Sequence, residues 1–256
     1  MPTHTRTRTH PRTHTELLHI PTPDGPADAL AAFPTGGGRH PGVLMYPDGF
    51  GLRPVLREMA AELAGHGYYV LVPNLFHRHG PAPAIELPAH IGDDVRSELF
   101  GRIMPLITAH TRERALLDAD AYLRFLTARP EVAPGPVAVT GYCIGGLQAV
   151  RTAAVHPDLV AALATFHAPV DADGPEAFGK LTAEAHFAHA ATDLTPEALA
   201  DLNRTLDAAG VIHTSEIYPD TVHGFTMSDT YAFDPAALRL HWTRLLALLT
   251  RTLPTT

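Results

Sequence analysis

The only cysteine of the 256-residue chain lies between two glycines, in the run Gly141-Tyr142-Cys143-Ile144-Gly145. An apolar segment of β type precedes this run and a helical pattern follows it, which is typical of a sharp strand-turn-helix elbow of the form G-x-C-x-G. The thiol would lie at the tip of the turn, where free N–H groups and the positive end of the helix dipole favour a thiolate. The pattern indicates a nucleophilic cysteine, although a lone cysteine is also commonly a small buried apolar residue.

A thiol nucleophile needs a base, and the base needs a third group that holds it in the right tautomer. Two later strand-like runs are followed by suitable side chains: Asp193 comes after 186–190, and His223 comes after 212–218. Open α/β sheets keep their sites at the carboxyl ends of the strands. The chain order of nucleophile, acid and histidine therefore predicts a triad of Cys143, Asp193 and His223.

Other acids and histidines in the same half of the chain are weaker candidates for these two roles. Asp201 and Asp207 fall inside a predicted helix, and Asp220 precedes the histidine by too few residues to come from another strand. His213 falls within a predicted strand, and His241 falls in the closing helix, where a histidine is usually a packing or surface residue.

The elements that must position these residues follow from hydrophobic periodicity, which predicts an α/β fold with a mostly parallel, doubly wound sheet flanked by helices. The first two predicted strands form an antiparallel pair. A long connection at 76–112, with a weakly helical stretch near residue 99, has no clear assignment and is typical of a functional excursion. We predict strands at 17–20, 27–33, 42–46, 68–72, 136–140, 159–166, 186–190 and 212–218, and helices at 54–66, 114–127, 146–154, 196–209 and 236–253.

Composition favours one globular domain at 16–253, because 45% of the residues are hydrophobic and 18% are charged. Residues 1–15 form a Thr/Arg/His-rich tail that we expect to be disordered.

The net charge of −8 argues against a nucleic-acid partner. No apolar run approaches the roughly 20 residues that span a bilayer, and no signal-peptide core is visible, so we expect a cytoplasmic protein without a membrane partner. A single cysteine excludes an internal disulfide and a cysteine-based zinc site.

In order and spacing these motifs resemble the dienelactone hydrolase family of α/β-hydrolases. The resemblance covers about residues 17–249, and it includes the run Tyr46-Pro47-Asp48-Gly49-Phe50-Gly51 together with the elbow, Asp193 and His223-Gly224-Phe225. It implies the α/β-hydrolase fold and no metal or organic cofactor. The partner it implies is a small-molecule ester or lactone, and a monomer is a plausible state.

The family resemblance also implies a role for each site residue. Cys143 would form an acyl-enzyme, His223 would act as base and then as acid, and Asp193 would orient the histidine. The backbone N–H groups of Ile144 and Gly49 would form the oxyanion hole.

Two positions depart from the family pattern. Asp48 stands where the family has a glutamate that controls whether the cysteine rests as thiol or thiolate; alternatively, Asp48 caps the helix that starts near Pro54 or shapes the turn. Met227 stands where lactone-cleaving members place an arginine that binds the substrate carboxylate, which favours a neutral or weakly anionic substrate. Three arginines lie where the family keeps a second such residue: Arg78, Arg96 and Arg102.

The same triad serves any acyl acceptor, so an acyltransferase or a thioesterase is an alternative to an ester or lactone hydrolase. A non-catalytic binding protein on a hydrolase scaffold is a third interpretation, because fold alone does not prove activity.

Overall fold

An eight-stranded sheet forms the centre of the protein, in a computed structural model that describes residues 12–169 and 175–253. The strands are β1 (Thr13–Thr22), β2 (Gly25–Pro34), β3 (Gly42–Tyr46), β4 (Tyr69–Pro73), β5 (Val137–Tyr142), β6 (Val160–Phe166), β7 (Glu184–Ala190) and β8 (His213–Tyr218). The helices are α1 (Pro54–Gly65), α2 (Asp93–Ala109), α3 (Arg112–Thr127), α4 (Ile144–Val155), α5 (Pro175–Phe178), α6 (Pro196–Ala208) and α7 (Pro235–Thr252).

The strand order across the sheet is β1-β2-β4-β3-β5-β6-β7-β8. The first two strands pair antiparallel with each other, and β2 pairs antiparallel with β4. All later pairings are parallel. The carboxyl ends of β3 to β8 therefore meet at one edge, where the elbow, Asp193 and His223 follow their strands.

Helices cover both faces of the sheet, and each face has its own apolar core. On one face α1 and α7 pack on the sheet through residues such as Leu56, Met59 and Leu245. On the other face α3, α4 and α6 contribute residues such as Leu123, Ala149 and Leu202. The central strands β3, β4 and β5 are buried along their whole length, as expected for a parallel sheet covered on both sides.

The predicted fold class, the eight strands and the opening antiparallel pair are confirmed. The long connection at 76–112 contains a 3₁₀ turn at His77–His79 and the helix α2, whose buried residues include Leu99 and Ile103. Within the part of the chain that the structure describes, every helix is too short or too polar to cross a membrane.

The predicted boundary of the disordered tail is wrong at its last three residues. Thr13, His14 and Thr15 belong to β1 and pair with Pro34, Phe33 and Ala32 of β2. The local composition suggested disorder, but the ladder with β2 supplies backbone partners, and the β-branched threonines suit a strand. The domain boundary predicted at residue 16 therefore falls inside β1. Residues 1–11 lie outside the described residues.

Candidate active site

Cys143 lies at the turn between β5 and α4 with φ 53° and ψ −125°. A non-glycine residue rarely adopts a positive φ, so the backbone is strained here, as the elbow motif predicts. The N–H of Cys143 donates a hydrogen bond to the carbonyl of Phe166 on the neighbouring strand β6, at 3.1 Å. This bond anchors the turn to the sheet, while the side chain stays partly exposed.

Three glycines around the cysteine let the strand, the helix and two neighbouring loops of the same chain approach closely. A Cβ on Gly141 would lie 2.1 Å from the carbonyl oxygen of Gly145, and one on Gly145 would lie 2.2 Å from the carbonyl oxygen of Pro47. A Cβ on Gly146 would lie 2.4 Å from Cβ of Ala168. The glycine spacing in the sequence therefore matches positions where the turn leaves no room for a side chain.

His223 and Asp193 meet at the carboxyl ends of β8 and β7. Nδ1 of His223 lies 2.8 Å from Oδ2 of Asp193, and the two side chains are 30% and 19% exposed. Burial opposes protonation of the histidine, but hydrogen bonds and charges from Asp193 and Cys143 outweigh it and raise the pKa of His223 to about 10. The structure thus brings the three predicted triad residues together, with Nδ1 directed to the acid and the other ring nitrogen left for the thiol.

Two threonines that the sequence analysis did not single out join the acid loop to the histidine loop. Oγ1 of Thr192 accepts a hydrogen bond from the N–H of His223 at 3.2 Å. Oγ1 of Thr221 accepts one from the N–H of Ala191 and donates one to the carbonyl of Tyr218. Each threonine flanks the predicted acid or base by one or two positions, which is the sequence signal that could have identified them.

The weaker candidates lie away from the thiol or have other partners. Asp201 and Asp207 are exposed on α6, with side chains 67% and 75% exposed. Asp220 occupies a turn position with φ 58°. His213 bonds to Asn203 and to a backbone carbonyl, and the buried His241 bonds to the hydroxyl of Tyr142.

The two amides predicted to form the oxyanion hole lie on adjoining segments. Ile144 is the first residue of α4, where N–H groups lack an intrahelical partner. Gly49 follows β3 and lines the same cleft as Cys143. The close approach of Gly145 to the carbonyl of Pro47 presses the elbow against the loop that carries Gly49.

Asp48 bonds to residues of its own loop and to Arg53. Oδ1 of Asp48 accepts hydrogen bonds from the N–H of Phe50 at 3.1 Å and from Nη1 of Arg53 at 2.5 Å, and Oδ2 accepts one from Nη2 of Arg53 at 3.0 Å. The N–H of Gly51 donates to the carbonyl of Asp48 at 3.0 Å. Of the sequence-based alternatives for Asp48, shaping the turn matches these contacts, and the position preceding α1 is taken by Arg53.

A cleft opens beside Cys143 and His223. Aromatic and aliphatic side chains form most of its wall, and the connection at 76–112 supplies part of it. The lining includes Phe50, Ile91, Phe100, Met227 and Tyr231.

The structure distinguishes among the three arginines that the sequence analysis gave as candidates for binding a substrate carboxylate. Arg96 lines the cleft, and its guanidinium lies 4.6 Å from the centre of the Phe100 ring. Arg78 is instead paired with Asp24 and Asp118. Arg102 is exposed on α2. Arg96 is therefore the arginine of this group that can meet a ligand in the cleft.

His167 also lines the cleft, and the sequence analysis gave no reason to select it. Its ring is fully buried, packs edge to face on His223 with 5.1 Å between ring centres, and bonds through Nε2 to Oγ1 of Thr226 at 2.8 Å. Burial, and then the charge of His223, hold the pKa of His167 well below its ordinary value. A neutral His167 ring therefore packs against His223, the proposed base.

Among the described residues, no group of three or more His, Cys, Asp or Glu side chains could hold a metal ion.

A mostly parallel eight-stranded sheet with a glycine-flanked cysteine elbow after β5, an aspartate after β7 and a histidine after β8 defines an α/β-hydrolase. A model of the dienelactone hydrolase family matches residues 27–253, and the chain belongs to this family.

Individual relatives agree with the family assignment. A carboxymethylenebutenolidase from a Pseudomonas species is 34% identical over 117 residues, which cover 46% of each chain. A Synechocystis protein that carries the same name provisionally is 24% identical over 89% of this chain and 93% of its own. The crystal structure of a provisionally named dienelactone hydrolase from Klebsiella pneumoniae has a TM-score of 0.80 at 20% identity, covering 93% of this chain and 99% of that one. The chain is aligned over only about half the length of three such relatives, and the structural likeness speaks for the fold alone.

Proposed function

We propose that this protein hydrolyses a carboxylic ester or lactone through a covalent acyl-enzyme on Cys143. The observation that carries the proposal is the strained elbow cysteine beside a histidine whose other ring nitrogen is held by a carboxylate at 2.8 Å. Such an arrangement activates a nucleophile and fixes the tautomer of its base. Family membership and the named relatives support the same class of reaction.

The first half of the proposed reaction makes a thioester. With its pKa raised to about 10, His223 already holds the proton as an imidazolium, and the thiolate of Cys143 adds to the carbonyl carbon of the substrate. The N–H groups of Ile144 and Gly49 stabilise the negative oxygen of the tetrahedral intermediate. When the intermediate collapses, the C–O bond to the leaving group breaks and the imidazolium of His223 donates its proton to the departing oxygen.

The second half returns the enzyme to its starting state. Neutral His223 removes a proton from water while the water oxygen adds to the thioester carbon. Collapse of this second intermediate breaks the C–S bond, releases the carboxylic acid and restores Cys143. Asp193 orients the imidazole and stabilises its charged form in both halves.

The cleft favours an ester or lactone that is neutral or weakly anionic. Met227 is fully buried and lines the cleft at the position where the family pattern has a carboxylate-binding arginine. A methionine cannot pair a carboxylate. Arg96 remains as a cation in the wall, but its guanidinium already lies over the ring of Phe100.

Substitution of the cysteine tests the covalent mechanism. We expect Cys143→Ala to abolish turnover of p-nitrophenyl esters and Cys143→Ser to retain a weak residue of it, because a hydroxyl is a poorer nucleophile beside the same base. Intact-protein mass spectrometry during turnover should show a transient acyl adduct on the wild-type protein and none on the alanine variant. Full activity of Cys143→Ala would reject the site, and ligand binding without turnover by the wild-type protein would favour the binding-protein alternative.

A matched pair of substrates tests the expected preference for low charge. We expect kcat/KM for the methyl ester of dienelactone to equal or exceed that for dienelactone itself, because Met227 offers the free carboxylate no partner. Met227→Arg should shift this ratio towards the acid by about tenfold, the effect of about 1.4 kcal/mol from one new ion pair. Met104→Arg on the exposed surface of α2 is the control for added charge. A strong preference of the wild-type enzyme for the free acid would contradict this substrate class.

A further inference from the structure

One buried guanidinium connects the loop that carries Gly49 to the loop that carries His223. Arg53 donates from Nη1 and Nη2 to the two carboxylate oxygens of Asp48, at 2.5 and 3.0 Å. Its Nε and Nη2 donate to the two oxygens of Asp229, at 2.6 and 3.1 Å. Nη1 also lies 3.2 Å from the carbonyl oxygen of Gly51. We call Asp48, Arg53 and Asp229 the arginine clamp.

The arginine clamp joins segments that are distant in the sequence. Asp48 and Gly51 belong to the loop after β3, whereas Asp229 lies six residues after His223 and 176 residues after Arg53. The carbonyl of Asp229 accepts a hydrogen bond from the N–H of Ile91, at 2.8 Å, in the connection that walls the cleft. The Arg53 side chain therefore joins the loop after β3 to the segment that carries Asp229, and the main chain of Asp229 joins that segment to Ile91.

The burial of the clamp makes its geometry costly to break. The side chains of Arg53 and Asp48 are 3% and 8% exposed. Burial disfavours the charge on Arg53, but the charges and hydrogen bonds of Asp48 and Asp229 outweigh it and raise the pKa of Arg53 above its ordinary value. Removing one partner from a buried pair leaves an uncompensated charge, so these contacts hold the loops in one arrangement.

The contacts within the loop explain how the clamp reaches the proposed oxyanion hole. The carboxylate that Arg53 holds also accepts the N–H of Phe50, and the carbonyl of Asp48 accepts the N–H of Gly51. Gly49 lies between these anchored positions, so the direction of its N–H group depends on them. Oxyanion donors must be oriented before the charge develops, because reorientation during the reaction would remove most of their benefit.

We propose that Arg53 is a positioning residue that aims the N–H of Gly49 at the oxyanion, and that Asp48 serves this clamp and not the protonation state of Cys143. The inference rests on the proposed function, since an oxyanion forms only if Cys143 attacks a carbonyl. It assigns a role to Arg53 and Asp229 and replaces the nucleophile-control role that the family resemblance implies for Asp48.

Two rate measurements separate this role from the alternatives. Hydrolysis of p-nitrophenyl butyrate passes through an oxyanion, whereas alkylation of Cys143 by iodoacetamide needs the thiolate alone. A clamp that positions Gly49 affects the first rate and not the second. A carboxylate that controls the thiol affects both, and a merely structural contact affects only the melting temperature.

The experiment compares Arg53→Met, Arg53→Lys and Asp229→Asn with the wild-type protein. The control is Arg57→Met, which removes an exposed arginine from α1, the helix that Arg53 precedes. We expect Arg53→Met to lower kcat by about 10- to 100-fold with little change in KM, because a misaligned donor loses part of the 10²- to 10³-fold effect of a deleted one. Asp229→Asn, which keeps the shape of the side chain, should lower kcat by a smaller factor, and Arg53→Lys should restore part of the loss. Iodoacetamide alkylation rates should match wild type throughout.

Each other outcome overturns a specific part of the inference. Parallel losses in kcat and alkylation rate would mean that the clamp acts on the thiol. Wild-type kcat in Asp229→Asn and Arg53→Met, with only a lower melting temperature, would leave the clamp a structural contact. If the wild-type protein is alkylated but hydrolyses no ester, the proposed function fails by itself. Amide hydrogen exchange of Phe50 and Gly51 then tests whether Arg53 holds this loop. Unchanged protection in Arg53→Met would refute the positioning role of Arg53.

Discussion

The proposed base, His223, is subject to opposing physical effects. Burial disfavours its charged form, while Asp193 and Cys143 favour it through hydrogen bonds and charge, and the favourable effects dominate. A folded-state pKa of about 10 lies above the ordinary value of 6.5. By linkage, the imidazolium contributes stability that is fully present below pH 6.5 and is lost as the pH rises through about 10.

Removal of either partner should therefore lower the pKa of His223. We expect Asp193→Asn and Cys143→Ala each to shift it downward, because each loses a hydrogen bond and a negative charge while burial remains. The measurement is an NMR titration of the His223 ring in the wild-type protein and both variants. His79→Gln, a change at an exposed histidine of the 3₁₀ turn, is the control. An unchanged titration in both variants would show that neither group faces the imidazole.

At the scale of elements, β7, α7 and the residue after β6 place four buried histidines near the loops that carry Asp193 and His223. Burial is the first cause of their lowered pKa, which is about 4 for two of them, about 3 for a third and well below 6.5 for the fourth. In chain order they are His167, His186, His189 and His241. The neutral rings act as core residues, for example where His241 packs 4.1 Å from the ring centre of Phe166.

These four histidines predict sensitivity to acid. Since the folded-state pKa values lie below 6.5, the unfolded chain binds more protons, so stability is lost as the pH falls from about 6.5 towards 4. We expect each such histidine to cost on the order of 1–2 kcal/mol near pH 5. Urea unfolding near pH 7.5 and near pH 5 measures the difference.

His186→Gln should reduce the dependence of unfolding free energy on pH, because glutamine can still bond to Thr214, the partner of His186 at 2.7 Å, without titrating. His79→Gln at an exposed position should leave the pH dependence unchanged. Equal slopes for His186→Gln and the wild-type protein would contradict the assignment.

At the scale of the whole molecule, the sheet order explains which features could be predicted from sequence. Cys143, Asp193 and His223 each follow a predicted strand, and parallel strands place their carboxyl ends together, so local pattern and chain order are sufficient to predict the geometry that brings them together. The glycine elbow is equally local. The assignments of nucleophile, acid and base remain predictions for the variants above to test.

The features that were missed depend on long-range contacts that leave no local pattern. Arg53 and Asp229 look like ordinary surface charges in the sequence, and only the folded chain brings them to 2.6 Å. His167 follows an apolar strand without any motif. The strand character of Thr13–Thr15 comes from β2, because the segment itself has no apolar residue. In this last case tertiary pairing overrode local composition.

The contact between Gly145 and the carbonyl of Pro47 has a consequence for how far this sequence can diverge. The spacing between the elbow and the neighbouring loop is set by main-chain atoms, which are the same whatever side chains surround them. Substitutions elsewhere can accumulate without altering this spacing, as long as the glycine remains. The walls of the cleft, which are side chains, can therefore change in sequence while the elbow keeps its place against the loop after β3.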